Sequence, residues 1–409
     1  MPNARIHSLP SKTRKIVDPF PMNMLRRVDE PTTRILGEIK RVDERENGLN
    51  RALRGDFGPK AQKERSRFVM KHPLSASQAD MLVHLIPTVD GPIAPDKAPI
   101  PEDPAVLTRH IKELAYFLRS DLVGICQLPS YAVYSHDKDG NEVNLKHKYA
   151  IAILIDQDFK TYNGSTGHGW ISNSQSMLGY STSGFIACIL ASYIRRLGYP
   201  ARAHHGRDYQ VAVPPILLWA GMGEICRIGG IVLNPFLGSR FKAAIVTTDL
   251  PLFPDKPVDF GLQKFCKICK KCVRECPSGA ISKGEKVVYN GYELWKENVE
   301  ACTKYRVTNS NGSGCGNCIK VCPWNKADTW YHRASIWAVD HSVMASRLLV
   351  WMDDLLGYGK AVERDKWWFD LEDINGKLVV PKTNERGEGK KVGQQQSIKK
   401  TSNERSVKK

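Results

Sequence analysis

Eight of the eleven cysteines fall between Cys266 and Cys322. They read Cys266-x2-Cys269-x2-Cys272-x3-Cys276-Pro277, then Cys302-x12-Cys315-x2-Cys318-x3-Cys322-Pro323. Close spacing lets one loop wrap a cubane iron–sulfur cluster corner by corner. In chains with two clusters the fourth Cys of such a run ligates the other cluster. The spacing therefore assigns one [4Fe–4S] cluster to Cys266, Cys269, Cys272 and Cys322, and a second to Cys276, Cys302, Cys315 and Cys318. Zinc sites favour paired Cys-x2-Cys knuckles without a third Cys two residues on. Disulfides suit a secreted chain, and no secretory leader is recognisable here.

The remaining sequence must position those clusters and give their electrons a use. At 409 residues with 42% hydrophobic side chains, the chain suits two or three domains and a substantial core. The net charge is +17. Residues 384–409 hold eight Lys or Arg against three Glu and almost nothing apolar, the composition of a disordered tail. The rest of the surplus suits acidic electron donors, anionic substrates, a phosphate-bearing cofactor or nucleic acid, and charge alone does not choose. Arg26-Arg27 has the look of a twin-arginine signal, but the polar Val28-Asp29-Glu30-Pro31 follows instead of an apolar stretch. No run reaches the ~18 apolar residues of a membrane span. A cytoplasmic protein is the expectation.

Residues 1–105 read as an arm and strap: polar and basic, with an amphipathic surface helix expected around Thr33–Leu53 and five prolines between residues 91 and 105. An α/β catalytic core is expected over residues 106–260. A helix is expected over Val106–Leu118, and strands at Leu122–Cys126, Tyr149–Ile155, Gln210–Val213, Ile231–Leu233 and Phe241–Val246. A long helix over Ser176–Leu197 repeats apolar residues on one face and ends at Gly198. The double-cluster module, like that of bacterial ferredoxins, takes residues 261–330. A helical segment follows over 331–383, its Leu348, Leu349, Met352, Leu355 and Leu356 expected to pack on the core.

Several motifs stand in succession. Tyr180-Ser181-Thr182-Ser183-Gly184 leads to Tyr193-Ile194-Arg195-Arg196-Leu197-Gly198-Tyr199, then Pro214-Pro215, Ala220-Gly221-Met222-Gly223-Glu224 and Arg227-Ile228-Gly229. Thr248-Asp249-Leu250-Pro251-Leu252 and Asp255-Lys256-Pro257-Val258-Asp259-Phe260-Gly261 then run into Phe265-Cys266. Over roughly residues 20–360 this succession resembles the corrinoid-dependent reductive dehalogenases. The resemblance implies an α/β (α+β) fold: a nitroreductase-like cobalamin-binding core with an inserted double [4Fe–4S] module. It implies reductive removal of halide from an organohalide, fed by a low-potential donor such as a ferredoxin or flavodoxin. No nucleic acid and no membrane span are expected.

Carried over by residue, Tyr180 matches the tyrosine that gives a proton to the carbon losing halide, and Arg240 the basic residue beside it. A phenol is a weak acid at neutral pH, so a neighbouring cation helps by stabilising the phenolate left behind. Cofactor contacts are expected from Gly221, Met222, Gly223, Arg227, His205 and Trp324, with Gly-rich 164–169 and 221–230 letting backbone approach the corrin. His204, His205 and Arg207 stand where some members have a substrate-contacting Asn. Arg240 with neighbouring His and Arg favours a polar or phenolic halide. No Asp-x-His-x-x-Gly motif is present, which fits a base-off cobalamin. Two other readings remain: an epoxyqueuosine reductase-like corrinoid enzyme acting on tRNA, and a non-catalytic iron–sulfur electron carrier.

Overall fold

The computed structural model describes residues 19–70, 73–310, 314–369, 371–374 and 377–379. The basic tail lies outside the described residues. In chain order the elements used below are α1 (Pro59–Met70), α2 (Pro73–Leu85), α3 (Pro104–Phe117), β1 (Leu122–Gln127), β2 (Tyr149–Asp156), α4 (Trp170–Arg196), β3 (Ala201–His204), α5 (Val213–Trp219) and β4 (Phe241–Thr248). The cluster segment adds α6 (Leu262–Ile268), α7 (Lys271–Arg274), α8 (Val299–Thr308) and α9 (Asn317–Lys320). Helices α10 (Trp330–His341) and α11 (Val343–Leu355) follow.

A four-stranded sheet in the order β1-β2-β4-β3 forms the centre, every neighbouring pair antiparallel. Alternation along β2 decides what lies on either face. Ile151, Ile153 and Ile155 join Ile186, Leu190 and Ile194 of α4 and Leu107 and Ile111 of α3 in one core. Ala150, Ala152 and Leu154 point the other way, into a core with Ile216 and Leu217 of α5. That second core runs without a break through Phe260, Leu262, Phe265 and Trp295 to Cys266, Cys269 and Cys272. The cluster module and the sheet thus share one hydrophobic interior, and a mixed α/β fold with an embedded cluster segment is what the chain forms.

The long helix begins at Trp170, earlier than its apolar periodicity indicates, and ends where Gly198 adopts φ +82°. At 27 residues it is the one described helix long and apolar enough, by length and composition, to cross a membrane. In this fold its apolar stripe is used against the sheet.

Several expectations are corrected. Residues 33–43 form no helix; Ile35 makes a single bridge to Tyr292, and the helical turns come later, at Gly48–Arg54, α1 and α2. The strand expected at Gln210–Val213 reduces to one bridge between Val133 and Val211. Val213-Pro214-Pro215 opens α5 instead, because proline suits the first turn of a helix. The helical segment after the clusters divides at Ser342, whose hydroxyl caps α11 by accepting from the Ala345 N–H at 3.2 Å.

Helix α11 is inverted. Its buried residues are Ser346 and Asp353, with Leu349 and Val350 packed partly against the core, while Leu348, Met352, Leu355 and Leu356 face outward. The reason is electrostatic. Asp353 accepts from Lys271 Nζ at 2.5 Å and from Lys326 Nζ at 2.6 Å, the carboxylate and Lys271 both buried. Two ammonium groups need that carboxylate on the inner face. Removing one partner of a buried pair leaves the other charge uncompensated, at a cost of about 3–5 kcal/mol. Asp353→Ala is expected to lower stability by about that amount in chemical denaturation. Leu355→Ala, on the outer face, should stay within about 0.5 kcal/mol of the parent.

Candidate active site

The two cysteine quartets gather as their spacing indicates. Cys266, Cys269, Cys272 and Cys322 line one small cavity together with Phe265, Pro323 and Trp324. Cys276, Cys302, Cys315 and Cys318 line the wall of a much larger one. The crossover of Cys276 and Cys322 between the two runs is therefore a feature of the fold.

Burial pushes the thiols of Cys266, Cys318 and Cys322 well up, and that of Cys272 up to about 12. Neighbouring cysteine sulfurs add to the rise. Backbone N–H groups oppose it: Lys271 faces Cys269, Asn317 faces Cys315 and Trp324 faces Cys322. At Cys276 burial also raises the thiol, but Ser278 Oγ with the N–H groups of Ile281, Ala280 and Ser278 outweighs it, and the net shift is downward. Crowded sulfurs, most of them with N–H groups turned toward them, suit thiolates sharing a metal cluster rather than free thiols.

The larger cavity has a volume of about 570 Å³, in the range of cofactor sites. It lies where the sheet, α4, α5 and α8 meet the second cysteine quartet, and Tyr180 lines it. Space for the Tyr180 ring comes from Gly206, where an added Cβ would stand 3.0 Å from two ring atoms.

The cation beside Tyr180 is Lys242, not Arg240. Lys242 Nζ stands 5.1 Å from the centre of the Tyr180 ring, and both side chains line the cavity. Gly179 makes this approach possible, since a Cβ there would meet Lys242 Cγ at 2.9 Å. Arg240 is buried and committed elsewhere: Nε pairs with Asp156 Oδ1 at 2.9 Å, and Nη1 donates to Asn325 Oδ1 and to the Lys326 carbonyl. Arg240 closes a turn, its N–H donating to Leu237 O, before β4 begins. The alternation of side chains along β4 therefore does not carry its side chain onto the face of Lys242.

The other expected cofactor contacts fall away from the large cavity. Met222 is core, stacked over β1 where Gly124 leaves room for its Sδ. Gly221 and Gly223 have φ +65° and +155°, and they let backbone approach other backbone, at Lys256 O and Leu233 O, rather than a ligand. His205 is fully buried against Gly184 of α4, and burial pushes its ring down to about 4. Arg227 and Trp324 line the cavity of the first quartet. Of the two Gly-rich stretches, Gly229 and Gly230 do reach the large cavity, whereas Gly167 packs against Asn317 of the cluster loop.

The sequence reading missed Tyr134, Tyr209 and Arg306 on the cavity wall, and a guanidinium group behind it. Tyr209 donates to Ala243 O at 2.6 Å, and burial raises both phenols. Arg65 donates from Nε to Leu49 O. Burial, and then the charges of Arg207 and Arg306, bring it down to about 10. Of these three guanidinium groups only Arg306 lines the cavity. Arg65 and Arg306 stand in no motif, because they come from distant segments.

Residues 265–325 match the family model for a 4Fe–4S double cluster binding domain. Tetrachloroethene reductive dehalogenase of Sulfurospirillum multivorans is 31% identical over 311 residues, covering 66% of this chain and 60% of its own length. The catabolic reductive dehalogenase NpRdhA, solved in complex with 3-bromo-4-hydroxybenzoic acid, is 44% identical. It superposes with a TM-score of 0.86 over 91% of this chain and 55% of that one. In sequence and in fold the chain is similar to reductive dehalogenases. A further reductive dehalogenase structure, described for B12-dependent dehalogenation, is 45% identical with the same TM-score and coverage. The chain spans a little over half the length of these relatives.

The two quartets are separable by mutation. Cys322→Ser is expected to strip or perturb the cluster of Cys266, Cys269 and Cys272 while the other keeps its iron. Iron analysis with low-temperature EPR checks this.

Proposed function

We propose that the chain is the catalytic part of a reductive dehalogenase acting on an aromatic organohalide with an acidic group. The observation that carries this is the pairing of Tyr180 with Lys242 on a cavity whose wall also holds Cys276, Cys302, Cys315 and Cys318. An electron carrier needs neither a proton donor nor such a cavity.

The cavity offers a corrinoid a backbone-lined edge at Gly229 and Gly230. In a nitroreductase-like core of this kind a base-off cobalamin would lie between the second cluster and Tyr180. Once bound, the corrinoid supplies the low-valent cobalt through which electrons reach the carbon–halogen bond. The balanced change is two electrons and one proton in, with hydrogen replacing halogen on carbon and halide leaving.

The protein's own residues handle the proton and the orientation. The Tyr180 hydroxyl gives its proton to the carbon. Lys242 over the ring steadies the phenolate, since an opposite charge at such range favours the ionised form. Arg306, backed by Arg65 and Arg207, would hold an anionic substituent and turn the halogen away from it. Asn173, Ser176 and Gln157 on the cavity wall add neutral hydrogen-bonding capacity. Electrons would enter from a small low-potential carrier, a ferredoxin or flavodoxin, in the cytoplasm.

The test is halide release by protein reconstituted with both clusters and cobalamin, using a reduced viologen donor and a halogenated hydroxybenzoate. Tyr180→Phe is expected to cut turnover at least about 100-fold, the usual range for removing a positioned acid. Corrinoid and iron content should be unchanged. Lys242→Gln should act in the same direction, and Arg240→Lys far less. Arg306→Ala should raise KM for the carboxylate-bearing substrate more than it lowers kcat. Failure to bind a corrinoid at all would overturn the reading.

A further inference from the structure

Arg227 lies in the cavity of Cys266, Cys269, Cys272 and Cys322, not in the corrinoid cavity. Its side chain is 1% exposed. Nε donates to Cys266 O at 2.8 Å, and Nη1 to Ser282 O at 3.2 Å and Gly284 O at 3.0 Å. The guanidinium carbon stands 4.4 Å from the centre of the Trp295 ring. Nη2 is buried without a partner. Among the described residues no carboxylate pairs with this group: its contacts are three carbonyls and an indole, all neutral.

A buried, unpaired guanidinium carries a desolvation cost of several kcal/mol unless a counter-charge stands near it. No Asp or Glu is among the described residues that line this cavity, so the cluster is the anion it faces there. The Arg227 backbone N–H faces the Cys266 sulfur, and its positive charge acts on Cys272. Lys286 stands 4.8 Å from the same Trp295 ring, adding a second cation to that side. At the other quartet the corresponding cation is Arg306, a half-buried side chain on the cavity side, whose charge reaches Cys302 and Cys315.

We propose that Arg227 sets the reduction potential of the Cys266/Cys269/Cys272/Cys322 cluster, raising it so that this cluster accepts the incoming electron. Reduction adds one electron, and so one negative charge, to an assembly of four thiolates. A fixed cation beside it in a low-dielectric interior stabilises that extra charge, and hydrogen bonding and charge around the sulfurs are the protein's main levers on such potentials. Arg227 is a positioning and tuning residue that ligates no iron. The inference rests on the cluster assignment and is independent of the substrate.

The experiment is an EPR-monitored redox titration of anaerobically purified protein carrying both clusters, with iron counted in parallel. In R227M the reduced fraction of one cluster at a fixed poise near its midpoint is expected to fall about tenfold in reduced-to-oxidised ratio, equivalent to about 59 mV for a one-electron couple. The other cluster should not move. The shifted signal must be the one that Cys322→Ser perturbs. R227K should restore most of the shift, which a purely structural role does not require. If R227M loses iron, R227Q is titrated in its place. Iron loss in both neutral variants with normal iron and midpoint in R227K still identifies the charge as the requirement. Unmoved midpoints in an iron-replete neutral variant, equal movement of both clusters, or iron loss in R227K as well would overturn the proposal.

Discussion

Two sets of four thiols have to meet at two points, with each set drawing one member from the other's loop. Everything else in the molecule is arranged around that requirement. Cys322 must return to the start of the cluster segment and Cys276 must reach forward past α8, so the segment folds back on itself. It then presents an apolar face, Phe260, Phe265, Trp295 and Trp324, to the underside of the sheet. Because that face merges with the core of β2 and α5, the clusters are held in the same rigid interior that shapes the large cavity. Burial raises the free thiols, and backbone N–H groups answer that cost only when thiolates are present.

A second constraint concerns charge. Lysines and arginines are placed throughout this interior with different counterparts. Lys271 and Lys326 have Asp353, Arg240 has Asp156, and Arg195 has the carbonyl of Ala201. Where the pairing is complete, the residue is structural, as with Arg240. Arg227, bonded only to carbonyls, stands instead beside the first cysteine quartet. Lys242 is set against the Tyr180 ring on the wall of the large cavity.

The outward apolar face of α11 follows from the same logic. Its inner face had to present Asp353 to two ammonium groups, so the leucines and Trp351 were left on the other side. Helical periodicity shows that such a stripe exists but not which way it turns.

What could be read from the chain alone was whatever short-range covalent spacing fixes. The cysteine ligand sets, the alternation of β2 and the stripe of α4 are set within a few residues, and the crossover of Cys276 and Cys322 is a property of the repeat of their runs. Tyr180 stands in an uninterrupted motif, and the fold places it on the cavity wall. What only the tertiary structure decided was lateral company. Arg240 and Lys242 are two residues apart, yet a turn at Leu237–Arg240 sends them to different partners. Arg227 and Trp324 sit in recognisable motifs but belong to the cluster cavity, because the hairpin that carries Arg227 lies against α6. Arg65, Arg207 and Arg306 come from three segments that meet only when the α1–α2 helices pack beside α8 and α4. Contacts between distant segments depend on how whole faces dock, and no local run of residues encodes that.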